Sequence, residues 1–247
     1  MPNKKSVVQS VGFMVWSFFT SDHSEKEANM VKKVRFFFCL LMACVFVQWT
    51  TVVCADETED NLQKAWSAYN NGHYKEAMEM LEPMALDGNA IAQQILGRCY
   101  ENGLGTAQDV ITAVKWYELA AEQKNSQAMV SLGYCYELGI GVAKDEAKAC
   151  EYMKEAANAG NAEAQFNLAL YYSKGLHGFA KNPEESFAWA LKSAEQGYAQ
   201  AECFVGACYE FGVGTNKNRD LSQEWYQKGR AKGVEREGNI FNVPAEN

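Results

Sequence analysis

The sequence is poor in the groups that most active-site chemistry needs. It has three histidines and four prolines in 247 residues. No Ser-x-x-Lys, Gly-x-Ser-x-Gly, His-Glu-x-x-His or Cys-x-x-Cys motif occurs, which removes the common serine-hydrolase, zinc-protease and dithiol sites. Four prolines exclude a Pro-rich linker, and a hydrophobic content of 48% against 22% charged excludes wholesale disorder. The Gly-x-Gly pairs at 103/105, 139/141 and 212/214 lack a third glycine or a following Gly-Lys, so they are turns and not phosphate cradles. His73 and His177 lie in separate turns, away from any cysteine at ligand spacing, so no metal site is expected and His177 reads as a solvated loop side chain. Positive charge is scarce as well. The formal net charge is −8; residues 1–55 hold six Lys/Arg against three Asp/Glu, which leaves 17 against 28, a net −11, for residues 56–247. Such a body repels phosphate backbones and anionic lipid, which excludes nucleic acid as a partner.

What is present begins with an address. Lys32, Lys33 and Arg35 precede the apolar run Phe36–Val47, and Val53 and Ala55 stand as small residues ahead of an acidic stretch. A basic segment, a short apolar segment and small residues at −3 and −1 predict a signal peptide over 30–55, cleaved after Ala55. Met30 is then the expected start, and residues 1–29 an upstream extension. The competing reading keeps Phe36–Ala55 as an uncharged stretch that anchors the chain in a membrane, and no other membrane contact is expected. With cleavage the expected location is secreted or periplasmic; the alternative is an N-terminally membrane-anchored chain.

A repeat of about 36 residues organises the rest. Leu96-Gly97-x-x-Tyr100-x-x-Gly103-x-Gly105 returns as Leu132-Gly133-x-x-Tyr136-x-x-Gly139-x-Gly141 and as Val205-Gly206-x-x-Tyr209-x-x-Gly212-x-Gly214. A degenerate copy, Leu168-Ala169-x-x-Tyr172-x-x-Gly175, carries one extra residue near His177 and realigns at Gly178. A second block follows each time, as in Asp109…Ala113-x-x-Trp116-Tyr117-x-x-Ala120-Ala121, and Gly160, Gly197 and Gly233 close three of the units. Lys124 stands where the first unit would carry its closing glycine. Each unit reads as a helical hairpin. Ala92, Leu96 and Tyr100 share one face of a helix; Gly103 stops it; Asp109, Asp145, Asn182 and Asn218 cap the second helix. Gly97, Gly133 and Gly206 fall inside helices, which predicts close helix–helix approach there. The expected organisation is a leading hairpin over 56–88, repeats at 89–124, 125–160, 161–197 and 198–233, and an irregular tail over 234–247.

This pattern of Ala, Leu-Gly, Tyr, Gly-x-Gly, Asp, Trp-Tyr and Ala-Ala resembles the Sel-1-like repeat (SLR) family, and the leading hairpin resembles one tetratricopeptide unit. The resemblance covers about residues 60–235. It implies an all-α, right-handed α/α superhelix (a solenoid) with first helices lining the concave side, and an adaptor that holds other proteins. In secreted bacterial members it implies a role in envelope assembly or host contact. A cysteine-rich branch of the family, with members described as binding or hydrolysing β-lactams, supplies the competing reading of a cell-envelope hydrolase. This chain lacks that branch's paired cysteines.

Stacked hairpins present a continuous surface, so the expected function is non-catalytic binding of a protein or peptide, with a basic segment favoured by the net −11. No cofactor is expected. The exposed face of the first helices is expected to carry Gln94, Arg98, Glu101, Val130, Tyr134, Glu137, Phe166, Leu170, Lys174 and Glu210, among which aromatic residues and arginine are the types that dominate interface energies. Cleavage after Ala55 would leave Cys99, Cys135, Cys150, Cys203 and Cys208, an odd number. Three of these share the position before the repeat tyrosine and read as small core residues, while Cys135 and Cys150, placed symmetrically about a turn, are a candidate disulfide.

Overall fold

The computed structural model describes residues 59–234. Every regular element among them is a helix, and consecutive helices pair into hairpins. The helices are α1 (59–70), α2 (Tyr74–Leu86), α3 (Ala90–Asn102), α4 (Val110–Glu122), α5 (Ser126–Leu138), α6 (Glu146–Asn158), α7 (Ala162–Lys174), α8 (Pro183–Glu195), α9 (Ala199–Phe211) and α10 (Arg219–Ala231). From α2 to α10 consecutive helices pack on one another. The result is an all-α superhelix of hairpins. The upstream extension, the signal peptide with its cleavage site, and all of the tail beyond Val234 lie outside the described residues.

Local chemistry sets the length of each helix at 13 residues from α2 onward. Asp109 and Asp145 each accept hydrogen bonds from two backbone amides of the turn they open, and Asn182 and Asn218 accept one each. First helices have their own row of caps: Asn89, Asn125 and Asn161 accept amide hydrogens, whereas Tyr198, in the same register, caps nothing and packs on Phe166. Gly103 ends α3 in the left-handed region at φ 66°.

Gly97 shows why helices this short tolerate a glycine. A Cβ there would sit 2.5 Å from Cε1 of Tyr117, and one at Gly133 would sit 2.8 Å from Cε of Met153. The first and second helices of a hairpin therefore close onto each other at this point. The second glycine of each Gly-x-Gly pair works between hairpins. A Cβ on Gly105 would lie 2.7 Å from the backbone of Tyr74, which opens α2, and one on Gly141 would lie 2.5 Å from the carbonyl of Val110, which opens α4.

The third repeat departs from this. Gly178 meets nothing within 4 Å, so it does not take the place of Gly105 or Gly141. His177, the residue before it, reaches the preceding hairpin instead.

A side-chain ladder also follows the period. Gln123 Nε2 donates to Gln93 Oε1 at 2.8 Å in the first repeat, and Gln196 Nε2 donates to Gln165 Oε1 at 2.8 Å in the third. The fourth carries Lys232 on Glu202 at 2.6 Å, and the second has apolar Met129 and Ala159 in the same two positions. Two copies thus share a glutamine pair, and the other two replace it with an ion pair or an apolar pair.

Candidate protein-binding face

The first helices α3, α5, α7 and α9 bring the same repeat positions into rows. One row holds Gln94, Val130, Phe166 and Cys203; the next holds Arg98, Tyr134, Leu170 and Ala207. Gln94 and Val130 do not belong to an exposed face, because they are only 6% and 1% exposed. Val130 packs within the core shared by the second hairpin and its neighbours. Its row turns inward in the first, second and fourth repeats, where Gln94, Val130 and Cys203 are all buried. In the third repeat Phe166 and Leu170 are half-buried.

Glu101, Glu137 and Glu210 form a further row, and each is tied down by a phenol. Tyr117 Oη donates to Glu101 at 2.6 Å, Tyr226 Oη to Glu210 at 2.9 Å and Tyr171 Oη to Glu137 at 3.3 Å. Tyr134 donates to Glu163 at 3.0 Å and accepts from Asn167 Nδ2 at 2.8 Å. Burial raises the pKa of Tyr117, Tyr134 and Tyr171 well above the usual phenol value, and the neighbouring carboxylates add to it. These tyrosines hold glutamates in place in the packing layer. Lys174 lies outside this row, since Ser173 occupies the register of Glu101 and Lys174 is exposed one residue beyond it.

Two candidate patches remain on the first helices, one exposed and one a groove whose walls are half-buried to buried. Arg98 stands over the ring of Tyr69 at 5.8 Å, and Tyr69 stacks on Trp66 at 5.7 Å with the planes 9° apart. Trp66 is 44% exposed. Trp66 and Tyr69 are absent from the expected binding residues, although their i, i+3 spacing on the leading hairpin was a readable signal. The second patch is a groove of about 370 Å³ between α7 and α9, lined by Phe166, Leu170, Lys174, Phe204 and Ala207, with Val234 at one end. Phe166 meets Phe204 edge-on at 5.8 Å.

The cysteines belong to the core. Cys135 and Cys150 form no disulfide; both are free and buried, as are Cys99 and Cys208. Cys150 Sγ donates to the carbonyl of His177 at 3.6 Å instead, and Cys135 sits among the core side chains of the second hairpin. Burial pushes the Cys99 thiol up to about 11 and those of Cys135 and Cys208 up to about 12. A thiol held protonated this firmly is a poor nucleophile and a poor metal ligand. Among the described residues no group of three or more His, Cys, Asp and Glu is placed to hold a metal ion.

His177 is not a solvated loop residue. Its side chain is 14% exposed, its backbone is left-handed at φ 51°, and its ring meets Tyr171 edge-on at 4.7 Å. Nε2 lies 3.2 Å from Glu137; Nδ1 lies 3.5 Å from Glu146, out of line for a hydrogen bond. Glu146 opens α6, so this side chain bridges to the hairpin end that a glycine approaches in the other repeats. A single inserted residue gave no sequence signal for the substitution of one contact by the other.

The Sel1 repeat family model matches residues 90–125, 126–161, 162–198 and 199–234. Among solved structures, a Sel1 repeat protein from Oxalobacter formigenes is 27% identical with a TM-score of 0.65, over 72% of this chain and 74% of that one. A protective antigen present in uropathogenic Escherichia coli strains, displaying an SLR fold, is 31% identical with a TM-score of 0.61, over 72% of this chain and 38% of that one. Chitin synthase regulatory factor 3 of Schizosaccharomyces pombe is 32% identical over 156 residues, 63% of this chain. The chitin synthase regulator SKT5 of Saccharomyces cerevisiae is 38% identical over 50 residues, 20% of this chain. The matched segments span 13% and 7% of those two proteins. They also correct the expected location: these relatives are fungal regulators of chitin synthase, not secreted bacterial proteins, and the secreted or periplasmic assignment does not stand.

Proposed function

We propose, since this chain belongs to the Sel1 repeat family, that it is a non-catalytic scaffold holding a segment of another protein against its first-helix face. The observation that carries this reading is the half-buried apolar pair Phe166 and Leu170, which lines a groove on the same set of helices as Arg98. Grooves of this size and lining take side chains of a partner, and aromatic or arginine anchors dominate the energy of such contacts. The names of the fungal relatives support a regulatory role over a catalytic one. The buried, firmly protonated thiols support the same choice. A net charge of −11 over residues 56–247 supports a partner segment with basic residues beside an apolar anchor.

The test is affinity capture with the full chain and three variants. Leu170→Asp and Arg98→Glu alter the face, and Glu151→Lys alters an exposed second-helix position, with circular dichroism verifying each fold. A partner held by the parent and Glu151→Lys, and lost from the other two, is the expected result. Equal retention by all four baits overturns the assignment of the face.

A further inference from the structure

The leading hairpin carries an aromatic stack that its core does not use in full. Tyr69 packs against the buried cluster around Leu81, but Trp66 belongs to none of the buried clusters and to none of the side chains packed against them. It lies parallel to Tyr69 and stays 44% exposed. Tyr74, the first residue of α2, meets Tyr69 edge-on at 5.3 Å and fixes that ring from the other helix of the hairpin.

Arg98 completes the group from α3. It is exposed, and its place over the Tyr69 ring holds the guanidinium in a set position. Among the described residues no carboxylate pairs with Arg98, whereas Lys64, Lys124, Lys144, Lys228 and Lys232 each have one. A pre-positioned guanidinium fork with no anion of its own suits an incoming carboxylate, which it binds through two parallel hydrogen bonds. A cationic ligand does not suit the stack, because Arg98 already stands over Tyr69 and its charge repels a second cation. Trp66 offers a flat apolar surface beside this charge, the pairing of residue types that anchors protein interfaces.

Both groups lean on one ring, so the guanidinium and the indole lie within about 12 Å of each other, which an extended chain crosses in about four residues. Every second side chain of such a chain faces the same way, so side chains two or four positions apart reach both groups.

We propose that Trp66 and Arg98 form a docking site for a segment of another protein in which an acidic residue stands two or four positions from an aromatic one. The carboxylate meets Arg98 and the aromatic ring meets Trp66. This deepens the scaffold reading and rests on it: the held segment meets the leading hairpin through these two side chains, and the basic residues that answer the net −11 lie elsewhere along it.

The experiment pans a phage-displayed library of random peptides on the full chain. The expected enriched peptides carry Asp or Glu two or four positions from Trp, Tyr or Phe. Trp66→Ala weakens a selected peptide by about tenfold or more, the effect of losing one anchor. Arg98→Glu does the same, and replacing the acid of the peptide by lysine restores binding to that variant alone. This exchange of preference is one that a disturbed fold would not give, so it keeps the test valid if Trp66→Ala loosens the leading hairpin. Enriched peptides of another composition, or none, overturn the proposal, as does an affinity for Arg98→Glu that lysine in the peptide fails to restore. Peptides that keep their affinity for Trp66→Ala and lose it for Leu170→Asp overturn this site and leave the scaffold reading standing. Failure of that reading shows separately, as equal retention by all four baits in affinity capture.

Discussion

The phenol of Tyr171 donates to Glu137 from a position that is cysteine in the other three repeats. Glu101 and Glu210 are served by Tyr117 and Tyr226 of their own hairpins, but the second hairpin has Met153 in that place. The third hairpin thus supplies the donor that the second lacks. Its ring occupies the site from which Cys135 or Cys208 fills the core of a neighbour.

This exchange predicts coupling between two sites. Tyr171→Cys and Met153→Tyr should each destabilise, the first by about 1–2 kcal/mol for a lost hydrogen bond to a carboxylate. Combined, they recreate the arrangement of the first repeat, with a tyrosine over Gly133 as Tyr117 lies over Gly97. The double variant should be more stable than the sum of its parts by about 1 kcal/mol, read from urea midpoints in a double-mutant cycle. Strict additivity would sink the idea.

Two helical glycines should respond differently to alanine. At Gly97 the added Cβ meets the ring of Tyr117, which is fully buried and fixed by Glu101, so Gly97→Ala should cost about 2–3 kcal/mol by overpacking. At Gly133 it meets the terminal methyl of Met153, which can turn aside. The gain in helix propensity, about 1 kcal/mol, then offsets most of the loss. Thermal melts of the two variants check the order; equal shifts would contradict it.

Lys124 closes the first repeat at φ 65°, a conformation that the other repeats assign to glycine. Its ion pair with Glu155 at 3.3 Å is exposed on both sides and contributes little. Lys124→Gly should therefore raise stability by up to about 1 kcal/mol, an increase in melting temperature of a few degrees. A decrease would show that the ion pair outweighs the backbone cost.

The thiols predict an alkaline limit. Cys99, Cys135 and Cys208 keep their protons to about pH 11–12 when folded, whereas unfolded thiols ionise near 8.5. Above that pH the unfolded state holds fewer protons, so this contribution to stability is complete below about pH 8.5 and is lost as pH rises toward the folded values. The raised phenols of Tyr117, Tyr134 and Tyr171 act in the same direction at higher pH. Melting temperatures should fall steadily above pH 8.5, less steeply in Cys135→Ala. Cys99, Cys135 and Cys208 should resist iodoacetamide at pH 8 and react once urea unfolds the chain.

The hairpins were legible because their signals are local and repeated: aspartate or asparagine caps, left-handed glycines, and alternation of alanine with aromatics. The face was only partly legible. Helical periodicity places Gln94 and Val130 beside Arg98 and Tyr134, but it does not say how deeply a neighbouring hairpin covers a row. Lys174 stands one residue past Ser173, which keeps the register of Glu101 and Glu137, since the inserted residue near His177 lies beyond both. Trp66 and Tyr69 lie on the leading hairpin, outside the repeat from which the candidates were drawn. His177 depends on two carboxylates, 40 and 31 positions away, that no spacing rule connects to it.

Four separate clusters of buried side chains run along the stack, and that division has a kinetic meaning. Cooperativity is shared out among segments, so exchange of amide hydrogens should report several opening free energies along one chain. Among the described residues the buried group around Cys203, Ala207 and Tyr226 is the smallest, and it borders the groove. Amides of α9 and α10 should therefore exchange ahead of those in α4 to α7. A bound ligand would be felt there first, as a slowing of exchange that spreads inward from the end of the chain.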